Sequence, residues 1–323
     1  MLNLLLLIVG LGLILGGANY LTDGAAAIAR RFGLSDLIVG LTVVAFGTSA
    51  PELTISVMSA VQGSPGMAIG NVAGSNIFNV LMIIGVVALV RPIRIEKGIM
   101  ANEIPMTILA SVAVLAMGCS LWIDGTAPVI SRMDGILLLL FLCIFMRYIF
   151  AQAKAKPENP TDVNEGSSSR QPGIWLSVVM VLGGLAALIY GGDLFVSNAS
   201  EIARSLGVSD AVIGLTIVAA GTSLPELATS LTAALKGNTG IAVGNVIGSN
   251  IFNIFMVLGV SATIRQLPFA GVTVVDLAVM TGSALLFWLF GWFIRTRTIT
   301  RGEGAVMTMC YLAYVGWLIY QAV

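Results

Sequence analysis

Histidine is absent from this 323-residue sequence, and only 10% of the residues are charged. The first absence excludes imidazole metal ligands and histidine proton relays. Soluble domains carry about 25% charged residues, so the second argues against a water-soluble domain. The three cysteines, Cys119, Cys143 and Cys310, stand singly without metal-ligand spacing, which predicts inert buried thiols. The net charge of zero offers no argument for a nucleic-acid partner.

Apolar residues are what the chain has in excess. They form 57% of it, and the mean hydropathy of +0.98 places the sequence in the membrane class. A helix needs about 20 mostly apolar residues to cross the hydrocarbon core. Ten such runs predict an all-α membrane protein with ten transmembrane helices, near residues 2–22, 37–61, 66–90, 104–123, 134–153, 174–194, 211–235, 240–263, 274–294 and 304–322.

The loops predict both the domain division and the orientation. A polar stretch at 154–173, rich in Pro, Ser, Asn and charge, is typical of a flexible linker between five-helix units at 1–153 and 174–323. Of the 16 Lys and Arg residues, all but Arg132, Arg204 and Arg265 fall on one side. The positive-inside rule then predicts a multi-pass protein of the cell (inner) membrane, with both termini outside and the linker in the cytoplasm.

The two units repeat one another in sequence. At an offset of 174 residues, Ala29–Gly85 aligns with Ala203–Gly259 without gaps, with 32 identities in 57 positions. The period holds five predicted spans, so equivalent spans cross the membrane in opposite directions. Inverted-topology repeats of this kind place a transporter's binding site at the midplane, between the two halves. The repeated glycines predict close helix contacts at Gly70, Gly74, Gly244 and Gly248.

The strongest repeated segments carry polar groups into the middle of spans. GTSAPE ends at Glu52 and GTSLPE ends at Glu226. An acidic residue at that depth costs about 2.5–3.5 kcal/mol on insertion scales, so it is a functional hypothesis by default. The preceding prolines, Pro51 and Pro225, break the helix and free a carbonyl oxygen. Such a break is tolerated where the helix lines a polar cavity.

Helical spacing predicts a cage of oxygen ligands around each glutamate. Thr48 and Ser49 lie four and three residues before Glu52, and Ser75 and Asn79 share a face of the next span. Hydroxyl, amide and carboxylate oxygens suit Ca²⁺ and Na⁺ rather than zinc or copper. Two carboxylates neutralise one Ca²⁺ or two Na⁺, which predicts competition between the ions. The second half repeats the set with Thr222, Ser223, Glu226, Ser249 and Asn253.

These segments resemble the two repeats of the cation/Ca²⁺ antiporter superfamily, and most closely those of prokaryotic sodium/calcium exchangers. The resemblance implies ten helices with the ion cluster between the second, third, seventh and eighth, and sliding of the first and sixth. It implies Thr48, Glu52, Thr222 and Glu226 as Ca²⁺ ligands. It implies that Na⁺ and the rest of the cluster are held by Ala45, Ser49, Ser75, Ala219, Ser223 and Ser249, with Asn79 and Asn253.

The function predicted on this basis is secondary active antiport of Ca²⁺ against Na⁺ by alternating access, with no enzyme activity and no cofactor. The transported ions and the bilayer are the expected partners, and a monomer suffices for transport. Asparagine at both 79 and 253 argues against K⁺ co-transport, since potassium-dependent relatives carry an acidic residue at 253. An H⁺-coupled or broader divalent-cation antiporter stays open as the alternative. Two further alternatives are an ion channel that uses the same oxygen cage as its filter and a membrane aspartyl protease. Only the segment Tyr190–Asp193 suggests the protease.

Overall fold

The computed structural model describes residues 2–63, 65–123, 125–154, 173–206, 219–294 and 297–322, and its regular structure is almost entirely helical. One short further helical turn lies at Ser120–Ile123. The helices are α1 (Leu2–Phe32), α2 (Asp36–Thr48), α3 (Ala50–Gln62), α4 (Pro65–Ile77, continued by Phe78–Ile83 and Ile84–Val90), α5 (Lys97–Gly118), α6 (Arg132–Lys154), α7 (Ile174–Ser205), α8 (Ala219–Thr222), α9 (Leu224–Leu235), α10 (Thr239–Phe252, continued by Asn253–Leu258 and Gly259–Ile264), α11 (Val274–Leu289, continued by Phe290–Ile294) and α12 (Arg301–Ala322).

Helices α4 and α10 form the centre of the molecule. The most apolar stretch of α10 is wholly buried, and 78% of that of α4 is buried. Helix α10 packs against α2, α6 and α9, while α4 packs against α3, α11 and α12. Helices α1 and α7 pair on the outside, where only 28% of each apolar stretch is buried. The repeated polar segments Gly70–Asn79 and Gly244–Asn253 therefore lie in the two innermost helices.

Glycine allows α10 to approach α2 at backbone distance. A Cβ added to Gly244 would lie 2.6 Å from the Leu37 carbonyl oxygen, and one added to Gly248 would lie 2.7 Å from the Ala45 Cβ. The predicted close contacts are thus confirmed for the second half. In the first half the prediction is wrong for Gly74, where an added Cβ would meet nothing within 4 Å, and a Cβ added to Gly70 would make an ordinary contact, 3.6 Å from Val272 Cγ2.

Two short antiparallel ladders tie the halves together. Strand β1 (Ile93–Arg94) pairs with β4 (Thr298–Ile299), and β2 (Val129–Ile130) pairs with β3 (Leu267–Pro268). Each ladder joins a loop of the first half to a loop of the second. The halves are therefore linked in the loops as well as in the helical core.

Seven helices of the described residues are long and apolar enough to span a membrane, or eight if the bent pair α2 and α3, inclined at 43°, counts as one span. The predicted span at 211–235 lies partly outside the described residues. The predicted last span forms helix α12, although this helix is not among the seven. The protein is a multi-pass helical membrane protein, and the number of ten spans stays a prediction.

Helices α1 and α7 are longer than predicted, with 31 and 32 residues in place of the runs 2–22 and 174–194. Hydropathy ends the predicted runs too early because the last third of each helix carries polar and charged residues. The prediction of buried thiols is also wrong, since Cys143 and Cys310 are exposed and Cys119 is half-buried. Cys143 lies on α6 and Cys310 lies on α12.

The α1–α7 pair is antiparallel and held at backbone contact by glycine. A Cβ on Gly10 would lie 2.8 Å from the Gly191 carbonyl oxygen, and a Cβ on Gly17 would lie 2.7 Å from that of Gly184. Small residues in such positions let membrane helices pack closely. A shift of 174 residues converts one contact into the other, because Gly10 corresponds to Gly184 and Gly17 corresponds to Gly191.

We expect Gly17→Val to separate α1 from α7, since the new side chain has no space against the Gly184 backbone. Overpacking of this kind costs about 1–3 kcal/mol. The measurement is the thermal unfolding midpoint of the purified protein in detergent. The matched control is Gly16→Val, at a position where an added Cβ meets nothing within 4 Å. Equal midpoints for the two variants would contradict the proposed role of the glycine contact.

Candidate functional site

Both candidate glutamates lie just after a break between two helices. Helix α2 ends at Thr48, Ser49 adopts φ −81° and ψ 5°, and α3 then begins with Pro51 and Glu52 in its first turn. In the second half Ser223 adopts nearly the same conformation, φ −93° and ψ 9°, ahead of Pro225 and Glu226. Proline suits the first turn of a helix, where its missing N–H is not needed. The repeated sequence thus produces the same broken helix in each half.

The two breaks meet, and each carboxylate accepts a hydrogen bond from a serine of the opposite half. Ser49 Oγ donates to Glu226 Oε1 at 3.4 Å, and Ser223 Oγ donates to Glu52 Oε1 at 3.2 Å. Ser249 Oγ also donates to Glu226 Oε1, at 3.5 Å. Both glutamates are 0% exposed. The geometry therefore places two buried carboxyl groups at one interface between the halves.

Several oxygen atoms at this interface have no hydrogen-bond partner among the described residues. Each glutamate uses Oε1 and leaves Oε2 unpartnered, and the other unpartnered atoms are Ser75 Oγ, Asn79 Oδ1 and Asn253 Oδ1. Unsatisfied buried acceptors are costly unless something else contacts them. Neither glutamate forms an ion pair with a basic side chain in the part of the chain that the structure describes. A group of bare oxygen acceptors with two acids fits a hard cation.

An asparagine network orients the two amides that carry unpartnered oxygens. Asn79 Nδ2 donates to Asn250 Oδ1 at 3.0 Å, and Asn253 Nδ2 donates to Asn76 Oδ1 at 3.1 Å. Asn76 and Asn250 in turn donate to one another's backbone oxygens, at 3.3 and 3.5 Å. Asn79 and Asn253 thus each donate a hydrogen bond from Nδ2 to the opposite half. Their Oδ1 atoms accept no hydrogen bond among the described residues and are available as ligands.

The remaining predicted residues lie on the helices that lead into the breaks. Thr48 is buried, and its hydroxyl lies 3.1 Å from the Val44 carbonyl oxygen and 3.1 Å from Asn245 Oδ1. Ala45 is buried one turn before Ser49. In the second half Ala219 and Thr222 both lie on helix α8, which ends at Thr222.

The structure corrects one detail and adds residues that sequence reasoning missed. Spacing predicted that Ser49 would share a helix face with Glu52, but the helix is interrupted at Ser49 and its hydroxyl reaches Glu226 instead. Asn76 and Asn250 were not singled out, although both belong to the repeated segments. The signal that could have identified them is that Asn76 and Asn250 match one another at the offset of 174. Among the described residues there is no cluster of three or more Asp, Glu, His or Cys side chains that could hold a metal.

Comparison with known proteins agrees with this architecture. The family described as "Sodium/calcium exchanger protein" matches residues 2–151 and 176–320. A "Putative antiporter CaxA" from Alkalimonas amylolytica is 38% identical over 95% of this chain and 95% of its own. The "Sodium/calcium exchanger MaX1" of Methanosarcina acetivorans is 31% identical over 98% of this chain and 99% of its own.

A solved structure has the same fold. The sodium-calcium exchanger NCX_Mj, soaked with Na⁺ and Ca²⁺, superposes with a TM-score of 0.83 at 33% identity, covering 98% of each chain. Fold and sequence together define a membrane transport protein of the antiporter class. The chain belongs to the sodium/calcium exchanger family.

Proposed function

We propose that this protein exchanges Ca²⁺ for Na⁺ across the inner membrane by alternating access around one central site. The observation that carries the proposal is the pair of buried glutamates. Each accepts a hydrogen bond from a serine of the opposite half, and each has one carboxylate oxygen without a partner among the described residues. Two carboxylates balance the charge of one Ca²⁺ or of two Na⁺. Either load therefore fills the same site without net charge, and the two ions compete for it.

The ligands in this proposal are the oxygens that meet at the two helix breaks. Glu52, Glu226, Thr48 and Thr222 hold Ca²⁺. The positions for Na⁺ involve Ser49, Ser223, Ser75, Ser249 and the backbone oxygens of Ala45 and Ala219, with Asn79 and Asn253 between the halves. All come from one chain, so a monomer is sufficient for transport, and no cofactor is required.

The architecture in this proposal is a pair of inverted five-helix repeats, 1–153 and 174–323, joined by a cytoplasmic linker at 154–173. Two features support it. Helices α1 and α7, which begin the two halves, run antiparallel. Every hydrogen bond between the central asparagines also has a counterpart at the offset of 174. With both termini outside, the excess of basic residues falls on the cytoplasmic face.

The test is ⁴⁵Ca²⁺ uptake into proteoliposomes loaded with Na⁺, compared with vesicles loaded with K⁺ or choline. We expect uptake only from Na⁺-loaded vesicles, and none into protein-free liposomes. Uptake without Na⁺ that follows an imposed pH gradient would replace the proposal with H⁺-coupled antiport. Uptake that ignores both gradients would contradict antiport altogether.

A further inference from the structure

The carboxamides of Asn71 and Asn245 make the same hydrogen bonds in both halves. Asn71 Nδ2 donates to the Glu52 backbone oxygen at 3.3 Å and to Ser56 Oγ at 3.0 Å. Asn245 Nδ2 donates to the Glu226 backbone oxygen at 3.3 Å and to Ser230 Oγ at 2.9 Å. Each amide thus joins the helix that begins with the glutamate to the helix that follows it.

The position of these amides gives the bonds a geometric consequence. Asn71 is four residues before Ser75 and eight before Asn79, so the three share one face of α4. A clamp between Asn71 and the main chain of Glu52 therefore fixes how far the glutamate lies from the other ligands on that face. In the second half Asn245 fixes Glu226 relative to the α10 ligands in the same way.

Asn245 also reaches across to the first half. Its Oδ1 accepts a hydrogen bond from Thr48 Oγ1 at 3.1 Å. Its Nδ2 donates to the Glu226 backbone oxygen and to Ser230 Oγ. Asn245 is 0% exposed, and its oxygen is already used. It differs in this from Asn253, whose Oδ1 has no hydrogen-bond partner in the described part of the chain. Its geometry suits holding ligands in place rather than acting as one.

We propose that Asn71 and Asn245 are positioning residues, which set the register between each broken helix and the neighbouring ligand helix and so determine cation affinity. The inference rests on the proposed function, since it assigns a role around that same site. Residues that orient metal ligands typically change metal affinity by about 10- to 100-fold when they are removed. We expect a loss of that size for Asn245→Ala and for Asn71→Ala.

The experiment is equilibrium ⁴⁵Ca²⁺ binding to the purified full-length protein in detergent, with thermal unfolding of the ion-free protein measured alongside. The matched control is Asn198→Ala, because Asn198 is also buried but, among the described residues, donates to the Leu194 carbonyl oxygen of its own helix and not to the site. This control should bind Ca²⁺ like the parent. Ser230→Ala removes one bond of the clamp and leaves the bond to Glu226, so it should weaken binding by less than Asn245→Ala.

The outcomes separate the inference from the function on which it rests. Weaker Ca²⁺ binding by Asn245→Ala, with the Asn198→Ala control unchanged, supports a positioning role. A lower unfolding temperature with an unchanged Ca²⁺ dissociation constant shows a merely structural role and overturns the inference alone. Parent protein that binds neither Ca²⁺ nor Na⁺ overturns the proposed function and the inference with it. If Asn245→Ala does not fold, Ser56→Ala and Ser230→Ala decide the question, and parent-like binding by both overturns the inference.

Discussion

Glu52→Gln should abolish Ca²⁺ transport while leaving the protein folded and inserted, and we expect the same of Glu226→Gln. With one carboxylate left, a bound Ca²⁺ keeps a net positive charge in a site that is 0% exposed. An uncompensated buried charge costs about 3–5 kcal/mol, which corresponds to a loss of affinity of at least about 100-fold. The measurement is Na⁺-dependent ⁴⁵Ca²⁺ uptake, normalised to the amount of monodisperse protein in the liposomes.

The chain offers a matched control in Glu103. This glutamate is also buried, at 1% exposure, but it lies on α5 and its Oε1 accepts hydrogen bonds from Tyr148 and Gln152 rather than from the central residues. Glu103→Gln should keep Ca²⁺ uptake near that of the parent. Near-normal uptake by Glu52→Gln would remove the two glutamates from the proposed site.

Glutamine at 52 or 226 should not destabilise the protein without ions. The parent holds two acids close together with an unpartnered oxygen on each, and glutamine removes one of the charges at nearly constant volume. We therefore expect the thermal unfolding midpoint of ion-free Glu52→Gln to equal or exceed that of the parent. The added stability that Ca²⁺ gives to the parent through mass action should disappear in the variant.

The repeat is the reason that so much of the site could be read from the sequence. Identity at an offset of 174 marks Glu52 with Glu226 and Asn79 with Asn253, and mid-span acids have few structural uses. The structure brings these four residues into one interface. Sequence alone does not say which serine approaches which carboxylate, because that depends on how the two broken helices pack. The crossed pairing of Ser49 with Glu226 is a tertiary fact.

Helix lengths show where hydropathy fails. The apolar run of α1 fades near residue 22, yet the helix continues to Phe32, and Ala25, Ala26 and Ala29 in its last third are buried. Packing of this kind decides the boundary, and a hydropathy window contains no information on it. Similarly, the apolar composition around Cys143 is as consistent with a lipid-facing position as with a buried one, and the structure shows the side chain exposed.

Asn253→Asp should change the cation dependence of transport, since it adds a third carboxylate to a site built around two. Asn253 is 0% exposed, and its Oδ1 is among the unpartnered atoms at the interface. A third negative charge strengthens the attraction for cations and leaves one charge unbalanced after Ca²⁺ binds. We expect a higher apparent affinity for Na⁺ or a new requirement for K⁺ or H⁺, measured by ⁴⁵Ca²⁺ uptake against each cation in turn.

The pH dependence has a defined sign. At low pH the introduced carboxyl is protonated and uncharged, so Asn253→Asp should resemble the parent, and the difference should grow as the pH rises and the charge forms. Asn79→Asp is the matched variant, because Asn79 occupies the equivalent position and donates to Asn250 as Asn253 donates to Asn76. If the halves contribute equally, the two variants shift in the same direction. Unchanged Na⁺, K⁺ and pH dependence in Asn253→Asp would place that side chain outside the ion cluster.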